Sequence, residues 1–117
     1  MTMLANLSGS IVIGQTESNA IVLGENHAPV AIVTGSNITS GSLTFLVSSD
    51  GTTFAPLYDS TSTEVSLANT SGSARHSHLD ITNFYSVTAV KVQEGTSGSP
   101  VAQTLANSTF TLVTRNI

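Results

Sequence analysis

The segment with the most specific chemistry is His76-Ser77-His78. On a β-strand, residues i and i+2 point to the same face, so both imidazoles can reach one metal ion. Two nitrogen donors fall short of a stable site, which needs more ligands. A threefold axis would bring three such pairs together, with Asp80 a further same-face donor if the strand continues. The plainer reading is a pair of exposed strand histidines, and no metal or other cofactor is assigned. His27, close to Pro29, reads as a structural residue in a loop.

Signatures of catalysis are missing from the sequence. The chain has no Gly-x-Ser-x-Gly elbow, no Gly-rich phosphate cradle and no His-Glu-x-x-His. Any two of Glu17, Glu25, Asp50, Asp59, Glu64, Asp80 and Glu94 would supply the carboxylate pair of a glycosidase, so nothing selects one pair. The expectation is that the protein is not an enzyme. Asp50-Gly51 resembles half of a calcium loop, but the oxygen-ligand spacing is not completed and a turn is the simpler reading. Asn-x-Ser/Thr occurs at Asn6, Asn37, Asn69 and Asn107, as expected by chance in so Ser/Thr-rich a chain. Phe54, Tyr58, Phe84 and Tyr85 form either a sugar-stacking platform or, by default, core packing beside the Asp50 and Asp80 turns.

The elements that must position these residues read as strands. Only 9% of side chains are charged, against about 25% in a typical soluble domain. Ser, Thr, Asn, Gly, Val and Ile dominate; Ser and Asn compete with helical backbone bonding, and β-branched residues suit a pleated sheet. Strands are expected near residues 11–14, 20–23, 30–34, 43–48, 54–58, 64–67, 75–79, 85–93 and 109–115. In the fourth, Leu43, Phe45 and Val47 share one face; in the last, Phe110 and Leu112 oppose Thr109, Thr111 and Val113. Pro56 cannot donate to a ladder, which makes its strand an edge or a bulge. Asp80 caps a short helical turn over 80–84. Thr-Ser-Gly-Ser at residues 39–42, 70–73 and 96–99 reads as turns rather than repeats. The expected architecture is all-β, a single β-sandwich or jelly-roll-like domain over residues 11–117 with a polar N-terminal arm over 1–10.

Charge and length exclude several partners. The three cations, Arg75, Lys91 and Arg115, are scattered and the net charge is -4, which argues against nucleic acid. No run approaches the ~20 apolar residues of a membrane helix, and the N-terminus does not read as a signal peptide. With no cysteine, there is no disulfide framework or thiolate metal site.

Three blocks carry a resemblance. Leu43-Thr-Phe-Leu-Val-Ser-Ser-Asp-Gly, continuing to Leu57-Tyr-Asp59, resembles the "LTF-x-VS-x-DG…LYD" segment of small tailed-phage virion proteins. Lys91-Val-Gln-Glu-Gly-Thr-Ser-Gly-Ser-Pro-Val-Ala-Gln103 is similar to their "K-x-R-x-GTS-x-x-PVAQ" segment, and Phe110-Thr-Leu-Val-Thr-Arg115 to their terminal "LTLVTR" strand. The resemblance spans about residues 20–117. The sequence departs from the pattern around Ala55, where an aromatic is usual, and at Gln93, where Arg is common. The resemblance implies a virion structural module, a capsid decoration (cement) protein on the capsid surface, made in the host cytoplasm. It also implies the major capsid protein as partner and a homotrimer as the assembly. The alternative is a tail, fibre or head-fibre module that binds a host surface glycan; a cell-envelope hydrolase is a third reading.

Overall fold

The computed structural model describes residues 4–24, 26–68, 70–72 and 74–117. The described strands are β1 (Leu4–Ile11), β2 (Ile21–Val22), β3 (His27–Thr34), β4 (Ser42–Ser48), β5 (Ala55–Pro56), β6 (Ser66–Ala68), β7 (Arg75–His78), β8 (Ala89–Thr96), β9 (Ser99–Pro100) and β10 (Ser108–Asn116). A short 3₁₀ helix over Ile81–Phe84 separates β7 from β8, and the Asp80 side chain caps it by accepting from the Thr82 N–H. All described ladders are antiparallel.

Two sheets form the sandwich. One has the order β1-β10-β3-β7; the other runs β2-β8-β4-β5, with β6 paired to β4 and β9 to β8. Leaving aside the short β6 and β9, the chain crosses between the sheets at every step except the β4–β5 hairpin, and its first and last strands are neighbours. That order is the double Greek key of a jelly roll. The all-β sandwich expected from composition is therefore the observed fold.

Period-2 patterning explains the core. Leu43 and Phe45 of β4, Val90 and Val92 of β8, and Phe110 and Leu112 of β10 all point inward and are at most 3% exposed. Phe84 comes from the 3₁₀ helix and meets Phe45 edge to face, with ring centroids 5.6 Å apart. The sheets also approach closely at Gly9: a Cβ there would lie 2.6 Å from Phe110 Cζ and 2.8 Å from Ile21 Cδ1. Gly9 is thus the gap into which side chains from both sheets pack. Pro56 lies in β5 at the end of its sheet, the edge position that a missing N–H requires.

Several expectations are corrected. Residues 4–10 are not an arm: Leu4–Ile11 pairs with β10 over its whole length, from Leu4 opposite Arg115 to Ile11 opposite Ser108. Residues 1–3 of that expected arm lie outside the described residues. The strand expected at 11–14 ends at Ile11, because Gln15 N–H bonds back to Val12 in a turn and Ile13 N–H bonds the Asn107 side chain. The strand expected at 85–93 begins only at Ala89; Val87 N–H bonds to Phe84 and Thr88 N–H to Ser48, so 85–88 form the corner that enters the sheet. His27 opens β3 rather than sitting in a loop, its Nδ1 3.4 Å from Thr114 Oγ1.

Candidate functional site

The outward face of the β1-β10-β3-β7 sheet gathers the candidate features. Ser8 and Ser10 of β1, Thr109, Thr111 and Val113 of β10, and Val33 of β3 alternate with the core-facing residues. His76 and His78 of β7 pair with Val33 and Ala31 and extend this face to the sheet edge. Both imidazoles are exposed, and their rings lie 5.7 Å apart between centroids. The strand geometry thus places the two rings together on one face. No cluster of three or more His, Cys, Asp or Glu able to hold a metal occurs among the described residues. Asp80, the further candidate, is turned to its cap, accepting from Thr82 N–H at 3.1 Å and Thr82 Oγ1 at 2.7 Å.

The strands of this sheet bring no carboxylate to the face. The strands LANLSGSI, HAPVAIVT, RHSH and STFTLVTRN contain no Asp or Glu, although the whole chain carries -4. Of the charged residues on these strands, Arg115 lies on this face, opposite Leu4, whereas Arg75, next to His76, has the opposite parity. A groove of about 660 Å³ opens on it, lined by Ser8, Ser10, Asn19, Thr109 and Thr111 among others. Hydroxyl and amide groups therefore dominate its polar contacts.

The described carboxylates lie elsewhere and each has a structural task. Glu17 pairs with Lys91 at 3.2 Å, and the Lys91 ammonium sits 4.7 Å over the Phe54 ring. Asp50 Oδ1 accepts from the Thr52 and Thr53 N–H groups and from Ser48 Oγ. These bonds, the Thr53 N–H foremost, hold its carboxyl well below the usual range. Asp50-Gly51 is accordingly a turn, with Gly51 at φ 87°. Asp59 is likewise lowered, first by the Thr61 hydroxyl and then by the Thr63 and Thr61 N–H groups. Glu64 accepts from Ser97 N–H.

Glu94 is the exception that sequence reasoning missed. It sits on β8 opposite Leu43, faces the interior and is fully buried. Its Oε1 accepts from the backbone N–H groups of Thr39 and Ser40, both at 2.9 Å, while Oε2 has no partner. Burial pushes this carboxyl up, opposed by the Ser40 and Thr39 N–H groups. Beside it, buried Gln103 accepts from Thr39 Oγ1 at 3.1 Å and donates to the carbonyls of Asn37 and Ala106. The pair ties the 35–41 loop, β8 and the 101–107 loop into one polar node. Both residues lie in the second resemblance block, but nothing local marked them as buried.

The four aromatics do not form one platform. Phe84 is a core residue, Phe54 lies under Lys91, and only Tyr58 and Tyr85 are exposed, at 52% and 57%. Of the Asn-x-Ser/Thr sites, Asn107 is engaged with Ile13, and Asn69 lies outside the described residues. Comparison of the chain with protein-family models, curated proteins and solved structures finds no match.

Proposed function

We propose that this chain is a non-enzymatic structural protein of a tailed-phage virion, a capsid decoration protein that binds the major capsid protein on the outer shell and stabilises contacts between capsomers. The observation that carries the reading is the acid-free outward face of the β1-β10-β3-β7 sheet on a chain of net charge -4. Such a face docks on an uncharged or acidic surface through hydroxyl and amide hydrogen bonds, without burying an unpaired carboxylate. The three resemblance blocks support it: they form β4 to β5, the β8–β9 hairpin with Gln103, and β10, which are framework parts of the sandwich. Engagement of the carboxylates in turns, caps and the Lys91 pair supports a non-catalytic role.

The test is to strip or delete the chain from virions, add it back, and measure genome retention on heating. Wild type restores retention, whereas Thr111→Glu with Val33→Glu, which places acid on the docking face, fails to bind. Purified virions that lack the chain, or that are equally robust without it, refute the proposal.

The hydroxyl-lined groove favours one second reading, a fibre or head-fibre module that binds a neutral host glycan. Saturable glycan-array binding by the isolated chain, lost on Thr111→Glu, would select it over the capsid role.

A further inference from the structure

Edge strands leave unpaired N–H and C=O groups, and proteins usually guard them with charge, proline, bulges or short length. Three edges of this sandwich are guarded. β2 and β5 are two residues long and β5 contains Pro56; β7 is four residues and carries Arg75, His76 and His78. β1 is different: an eight-residue edge, Leu-Ala-Asn-Leu-Ser-Gly-Ser-Ile, with no charge and no proline.

The alternation of an antiparallel ladder fixes which groups are free. Ser10 N–H points away from β10, since it donates to Asn19 Oδ1 at 3.0 Å, and Asn19 thereby closes that end of the edge. Counting back in twos, the backbone groups of Ser8, Asn6 and Leu4 also point outward. The side chains of these three residues are exposed, Leu4 at 63%. The open stretch is therefore Leu4 to Ser8, centred on Asn6.

We propose that this edge pairs with the β1 edge of a second copy of the chain, antiparallel about Asn6, joining two four-stranded sheets into one continuous sheet. In that register Asn6 faces its counterpart, and each Leu4 faces the other copy's Ser8. The stretch is self-complementary in backbone hydrogen bonding, as an isologous twofold contact requires. It also contains no charged side chain, so the contact forms without opposing carboxylates although each copy carries -4. The inference does not depend on the capsid reading.

Sedimentation of the full chain at about 100 μM, where small interfaces of micromolar affinity are populated, tests it. The expected mass is twice the 12.0 kDa of one chain. Asn6→Pro removes an outward N–H without touching the β10 ladder, and L4K/S8K places like charges across the contact. Each should weaken association at least tenfold, a loss of about 1.4 kcal/mol, while far-UV circular dichroism and Tm stay near wild type. L4E/S8K sets each new acid opposite the other copy's new lysine and should retain the doubled mass. A wild-type mass of one chain, or of three chains as the resemblance implies, overturns the proposal. So does a doubled mass that survives Asn6→Pro, or an L4E/S8K protein that stays at one chain.

Discussion

Replacing Glu94 tests how this domain holds its polar interior. In Glu94→Ala the buried Ser40 N–H loses its acceptor, while the Thr39 N–H keeps only its longer bond to Gln103 Oε1 at 3.2 Å. Leaving one buried donor unsatisfied costs about 1–3 kcal/mol, and with the cavity the total is about 2–5 kcal/mol. Against a whole-domain stability of about 5–15 kcal/mol, this lowers Tm by on the order of 15 °C. Glu94→Gln keeps an acceptor for both N–H groups and removes the buried ionisable group. It exchanges a partnerless carboxylate oxygen for a partnerless amide nitrogen, which is cheaper to bury, so at pH 7 the variant should equal or exceed wild type.

The pH dependence separates charge from packing. Burial raises the Glu94 carboxyl above its ordinary 4.5, so the folded state binds the proton more tightly than the unfolded chain does. Wild-type stability should therefore be fully present below about pH 4.5 with respect to this group, and fall as pH rises from there through the raised folded value. Asp50 and Asp59 act in the opposite sense, their contribution being lost as pH falls through and below about 3.8. Urea denaturation of wild type and Glu94→Gln from pH 4 to pH 8 reads the difference directly. A Glu94→Gln curve parallel to wild type, or a Glu94→Ala loss below about 1 kcal/mol, would refute the reasoning.

Three further predictions follow from packing. Gly9→Ala should destabilise by about 1–3 kcal/mol in chemical denaturation, since the added methyl meets Phe110 and Ile21 from both sheets. Phe84→Ala should cost about 3–5 kcal/mol by removing the edge-to-face partner of Phe45, whereas Tyr85→Ala, one residue on and exposed, should change Tm little. H76A/H78A should leave stability within about 0.5 kcal/mol, and calorimetric titration with zinc should detect no tight site on the wild-type chain in either assembly state tested above.

What could be read locally was the alternation of apolar residues. Leu43, Phe45, Phe110 and Leu112 marked β4 and β10 because a period of two survives any tertiary context. Pro56 and Asp80 were legible for the same reason, as a missing donor and a side-chain cap are local chemistry. The first strand was misread because Ser, Gly and Asn have weak strand preference; Leu4–Ile11 is a strand through its pairing with β10, more than ninety positions away. Two features had no sequence signal: the burial of Glu94 beside Gln103, and the openness of the β1 edge.

The sequence by itself determined an all-β chain that is sparing of charge, its main core faces and the turns between them, because these follow from side-chain period and backbone preference. Only the tertiary structure decided which strands neighbour one another, that β1, β3, β7 and β10 share one sheet, and that a carboxylate lies in the interior. Those outcomes depend on contacts between residues far apart in the chain, where hydrogen-bond partners and exclusion of water are set by the assembled sheets rather than by neighbours in sequence.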